Sequence, residues 1–172
     1  RLINSHILKN QAEGALLLIK HSTHLELDLR LLSQYFNLTG MYKSQSNAAL
    51  NYVMIKARNN YIEASLTNKE GLKAARWIKS GKIFLYAADQ DYGQNVSEMV
   101  PFFGHHAATV TFPALFSKKN TKIIFADVSN VKGTYEIELK ELHSSENEYE
   151  FLKRMNDLYQ KFILKEPEGC LL

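Results

Sequence analysis

The chain has 172 residues and a mass of 19.7 kDa, and 45% of the residues are hydrophobic, enough for one buried core and too few for two. Its single cysteine, Cys170, excludes a disulfide framework and a thiolate metal cluster and fits a reducing compartment, and no apolar run approaches the roughly 18 residues that span a bilayer. The net charge of +3 is unevenly spread: residues 1–135 hold 16 Lys+Arg against 9 Asp+Glu and the remainder 5 against 9, so the front of the chain favours anionic partners such as nucleic acid, lipid headgroups or phosphate-bearing carriers.

From the amino end, short apolar runs alternate with segments of helical period, which predicts an α/β layer structure, one domain over 1–172, with strands buried between helices. Ala15 to Lys20 reads as a buried strand. Thr23 to Phe36 has Leu25, Leu29 and Leu32 at helical spacing and ends near NLTG. MYKSQ, from Met41, reads as a short strand leaving into a loop, and Asn47 to Asn59 places Leu50, Val53, Met54 and Ala57 on one helical face. YIEASL is a further strand; Asn68 to Ser80 is a helix with Leu72, Ala75 and Ile78 inward, stopped by Gly81.

KIFLYAAD, from Lys82 to Asp89, carries the strongest strand pattern, followed by the polar loop DQDYGQNVSE. MVPFFG is extended, a helix is expected from about Thr109 to Lys119, and KIIFADV is the next strand. TYEIELKEL alternates in polarity, as a strand near a sheet edge does. Glu146 to Lys165 is the long final helix, broken by Pro167 and Gly169.

Within this frame, LLLIKHSTHLELDLRLL raises a chemical question. Residues five apart on one helix are rotated by about 140°, so His21 and Glu26 meet only if His21 precedes the helix. A strand ending at Lys20 and a helix starting near Thr23 put His21 in the turn at the carboxyl end of a central strand, where open α/β sheets bind ligands. Two bland readings stand beside it. Thr23 and Glu26 spell a capping box, and His24 and Asp28 could form a surface pair. His21, His24, Glu26, His105 and His106 lack a metal-site spacing, and no metal is expected. The basic residues carry no nucleic-acid motif, so no nucleic-acid partner is expected either.

The strings GALLLIKHSTHLELDLRLL, MYKSQSNAALNYVMIKARNNY, KEGLKAARWIKSGKIFLYAADQDYG, MVPFFGHHAATVTFPAL and EPEGCLL occur in the order found in the late acyltransferases of bacterial lipid A biosynthesis, which the chain resembles from about Gly14 onward. ADQDYG followed by VPFFG and AAT is the most specific part. The resemblance implies a mixed central sheet flanked by helices, similar to glycerol phosphate acyltransferases. It also implies transfer of a fatty acyl chain from acyl carrier protein, or coenzyme A, to a hydroxyl of a lipid A precursor or other membrane glycolipid. The setting it implies is the cytoplasmic face of the bacterial inner membrane, an anionic surface. No cofactor is implied beyond the acyl donor.

By the same resemblance, His21 is the general base and Glu26 the acid that orients it. Arg58 is then the candidate for oxyanion stabilisation, with backbone amides after His21 as competitors, and Lys43 the candidate contact for a lipid phosphate. Asp89 and Asp91 are candidates for orienting Arg58, binding sugar hydroxyls or shaping the DYG turn. His105 and His106 are expected to be structural. The chain opens on RLINSH without an initiator methionine, and relatives carry an amino-terminal anchor and a longer tail, so these residues are expected to be a segment of something longer.

Overall fold

The computed structural model describes residues 1–8, 14–42, 46–67 and 70–170. Its centre is the strand β2 (Ala15–Ile19), buried at every position, as expected for a strand covered on both faces. Leu16 and Leu18 face one layer of helices; Ala15, Leu17 and Ile19 face the other. On the second side lies α1 (Leu25–Ser33), packed through Leu29 and Leu32. On the first side lies the long α5 (Glu148–Lys165), whose Phe151, Met155, Leu158, Tyr159 and Phe162 form a stripe at helical spacing.

The remaining strands are β1 (Leu2–Ile3), β3 (Leu38–Tyr42), β4 (Ile62–Thr67), β5 (Ile83–Ala87), β8 (Lys122–Val131) and β9 (Thr134–Glu141). Together with β2 they form a seven-stranded sheet in the order β1-β9-β8-β2-β5-β3-β4. Every pairing is parallel except β8 with β9, so the sheet is mixed, in an α/β fold, as expected. TYEIELKEL lies near one edge, covered only by the two-residue β1. Because β5 inserts between β2 and β3, the carboxyl ends of β2 and β5 lie side by side, with Ile19 opposite Ala87. That register builds the site.

Several expectations need correction. The helix expected from Thr109 begins later, as α4 (Phe112–Ser117). Its first expected positions, Thr109 and Val110, belong instead to β7 (His105–Val110), which pairs antiparallel with β6 (Ser97–Phe102), the extended piece expected at MVPFFG, in a separate hairpin. Phe103 and Gly104 at its tip both have positive φ (48° and 79°), the geometry a two-residue hairpin turn demands, and the Phe103 amide donates to Gln160 Oε1 at 2.8 Å. Pro113 sits in the first turn of α4, where a missing N–H costs nothing. His105 and His106 are exposed on β7.

Helix α2 (Ala48–Arg58) is capped by Asn47, whose side chain accepts from the Leu50 amide at 3.1 Å, but Leu50 and Val53 point to solvent; Met54, Ile55 and Arg58 occupy its half-buried side. In α3 (Gly71–Lys79) the inward residues are Ala74 and Ile78, and Leu72 is exposed. The apolar period thus marks each helix without fixing which way it faces. Gly81 (φ 90°) ends α3 as expected, its amide donating to the Ile78 carbonyl.

Candidate active site

His21 follows β2 by two residues and Asp89 follows β5 by two, so the paired strand ends carry the two side chains to one place although 68 residues separate them. Asp89 Oδ1 lies 2.5 Å from His21 Nδ1, and Asp89 Oδ2 accepts the His21 backbone N–H at 2.6 Å. The carboxylate is 1% exposed and the imidazole 19%. Both acceptor oxygens are therefore committed to one residue, holding ring and backbone together. The acid at Nδ1 selects the tautomer that carries its proton there and leaves Nε2 for other chemistry.

The buried Tyr159 fixes the same strand ends from behind: its hydroxyl donates to the Ile19 carbonyl at 2.8 Å and accepts from the Ala88 N–H at 3.1 Å. Burial, reinforced by the Asp89 charge, pushes this hydroxyl's pKa well above the ordinary tyrosine value, so it stays protonated and serves as a neutral pin. Lys20, beside His21 in sequence, is 3% exposed and bonded to the fully buried Asp127 at 2.5 Å.

Glu26 lies elsewhere than expected. Arg58 Nε and Nη2 donate to Glu26 Oε1 at 3.0 and 2.5 Å, so α1 and α2 are joined by this pair, and the acid that faces the His21 ring is Asp89. The place at the His21 ring that the resemblance gave to Glu26 is thus held by Asp89, and the acid on Arg58, a role for which Asp89 was one candidate, is Glu26. The capping box is absent too: the cap position of α1 is His24, with no side-chain cap bond, and Thr23 is exposed. His24 and Asp28 do pair, at 2.7 Å, but around a buried carboxylate.

Asp91 is exposed and accepts the Gly93 N–H at 2.6 Å, shaping the turn of the DYG loop. Lys43 lies outside the described residues. Among the described residues no three His, Cys, Asp or Glu side chains gather as metal ligands, and no helix is long and apolar enough to cross a membrane.

His21 and Arg58 both border a cavity of about 570 Å³ whose walls are otherwise largely apolar, with Leu25, Leu29, Ile62, Leu85, Val110 and Phe112 among them. Tyr86 and Tyr92 add phenol groups to the lining, and burial raises the pKa of both. Such a site joins an imidazole with a fixed tautomer, a cation held by an acid, and room for an apolar chain. It suits deprotonation of a hydroxyl beside a bound hydrocarbon.

His21 and Asp89 each stand six residues after the first residue of their strands, Ala15 and Ile83, an equal offset that acquires meaning only once β2 and β5 are known to be neighbours in register. Nothing in the sequence marks Tyr159, one of several apolar positions along α5.

A family model described as bacterial lipid A biosynthesis acyltransferase matches residues 1–171. A lipid A biosynthesis acyltransferase of Haemophilus influenzae is 28% identical over 170 residues, covering 94% of this chain and 55% of the relative. The lipid A biosynthesis palmitoleoyltransferase of Escherichia coli is 26% identical over 171 residues, with the same coverage of 94% and 55%. The Escherichia coli lauroyltransferase is 31% identical over 109 residues, covering 62% of this chain and 36% of its own length. The chain thus spans about half the length of the curated relatives it matches along its whole extent.

Proposed function

The chain belongs to the bacterial lipid A biosynthesis acyltransferase family, and from that premise we propose that its cavity takes a fatty acyl thioester and that His21 is the general base of an O-acyl transfer to a lipid A precursor. The observation that carries this reading is the His21 imidazole on the wall of an apolar cavity, fixed through Nδ1 by a buried Asp89.

In the proposed reaction, His21 Nε2 takes the proton of the acceptor hydroxyl as its oxygen attacks the thioester carbonyl carbon. The C–O bond forms, negative charge collects on the carbonyl oxygen, and the collapse of that tetrahedral intermediate breaks the C–S bond. The imidazolium then returns its proton to the departing thiolate. No acyl-enzyme is required.

Asp89 keeps the ring oriented and stabilises the imidazolium, the part that Glu26 was expected to take. Glu26 acts one step removed, holding Arg58 at the cavity where a guanidinium can meet the developing oxyanion or a substrate phosphate. Lys43 is a further contact for lipid phosphate, and Asp91 shapes the adjoining loop, with sugar hydroxyls within its chemistry. In this reading the donor is acyl carrier protein. The proposed setting is the cytoplasmic face of the bacterial inner membrane, a reading supported by the basic front of the chain, which suits anionic lipid.

The test uses the full-length protein: His21→Ala should abolish transfer of an acyl chain from acyl carrier protein to lipid A precursor, read by mass spectrometry, while the circular-dichroism spectrum is kept. Normal turnover in that variant would overturn the assignment.

A further inference from the structure

The turn that carries His21 is braced from a side the proposed chemistry does not use. The Thr23 amide donates to the Gly169 carbonyl at 2.9 Å, and Ser22 forms an isolated antiparallel bridge with Cys170, so the segment after α5 lies directly against the catalytic turn. His24 stands between them. On one side its Nδ1 meets Asp28 Oδ1 at 2.7 Å, while Asp28 Oδ2 accepts the Ser22 hydroxyl at 2.5 Å. On the other, Nε2 faces Glu166 Oε2 at 3.8 Å.

Both of those facing atoms are buried and have no hydrogen-bond partner. Buried polar atoms without partners are costly, and two of them within ion-pair range, one an imidazole nitrogen and one a carboxylate oxygen, are the natural partners of each other. The Glu166 side chain also lies over Gly169, since a Cβ added there would come within 3.2 Å of Glu166 Cγ and Cδ. The residue that faces His24 is therefore packed on the residue whose carbonyl holds Thr23.

We propose that His24 is a positioning residue: by linking Asp28 to Glu166, its ring ties the segment after α5 to the turn bearing His21 and sets where the His21 imidazole stands over the cavity. This rests on the acyl-transfer reading only for the reaction it serves; the brace itself is a statement about the turn. Among the described residues, Ser22, Asp28 and Glu166 are the polar side chains that meet the ring, and Tyr135 packs against it in a T-shaped contact at 6.1 Å between centroids.

The test is a double-mutant cycle in the full-length protein with His24→Ala and Glu166→Ala, read by amide exchange at Thr23 and by kcat and KM for acyl transfer. Each single change should speed Thr23 exchange and lower kcat by about tenfold, with KM nearly unchanged, and the double variant should be no worse than either alone. His24→Gln, whose amide nitrogen reaches the place of Nε2, should restore most of kcat; His24→Asn, which imitates Nδ1 alone, should not. Both also serve if the alanine variants fail to fold.

Effects that multiply in the double variant, unchanged Thr23 exchange, or equal behaviour of the Gln and Asn variants would overturn the brace. Thr23 exchange that responds as expected in a protein whose wild type moves no acyl chain would support the brace and overturn the reaction assigned to His21.

Discussion

Two acid–base pairs each present their basic member to one cavity, and they are built from different materials. His21 and Asp89 hang from the ends of adjacent parallel strands, pinned behind by Tyr159, with the carboxylate 1% exposed. Arg58 and Glu26 join the end of one helix to the start of another, with Glu26 54% exposed. The first pair inherits its geometry from sheet register and cannot drift without unpairing β2 from β5. The second is a rim contact, the kind that contributes about 0–1 kcal/mol and can open as a ligand enters. The difference teaches a division of labour, in which the sheet fixes the proton acceptor and the helices offer an adjustable cation.

Removing the buried acid should break that comparison most severely. In Asp89→Asn the amide can donate to His21 Nδ1, forcing the proton to Nε2 and destroying the base, so kcat should fall by about 10³–10⁴-fold in an acyl-transfer assay. A middle effect is expected from Tyr159→Phe, which strands the Ile19 carbonyl and the Ala88 amide without their shared hydroxyl. Denaturant titration should show a loss of about 1–3 kcal/mol, with a smaller loss of rate than in Asp89→Asn. Smallest is Glu26→Gln, which keeps one acceptor oxygen for Arg58; stability should change by about 1 kcal/mol or less and kcat by about tenfold or less. A Glu26→Gln loss as large as that of Asp89→Asn would erase the distinction between the two pairs.

Much of the sheet was legible because a strand covered on both faces must be apolar throughout, and ALLLI and IFLYA are. The placement of His21 before a helix followed from the same reasoning. The pairing of His21 was not legible, because sequence distance favours the near acid, Glu26, while sheet order, decided by which strand inserts beside β2, favours Asp89 across 68 residues. Helix facing was hidden for a related reason: Leu50 and Val53 satisfy an apolar period that says nothing of which side meets the sheet. MVPFFG was legible as extended, but its partner β7 was missed and its last two residues, Thr109 and Val110, were given to the following helix, since HHAATV carries no turn residue of its own and depends on Phe103 taking a positive φ.

The central claim, that the buried acid of β5 rather than the rim acid of α1 holds the base, is tested most directly by proton and nitrogen NMR of the His21 ring in the full-length protein. The 2.5 Å contact predicts a strongly deshielded Nδ1 proton that persists in Glu26→Gln and disappears in Asp89→Asn. A resonance that survives the loss of Asp89 and vanishes with Glu26 would contradict the account.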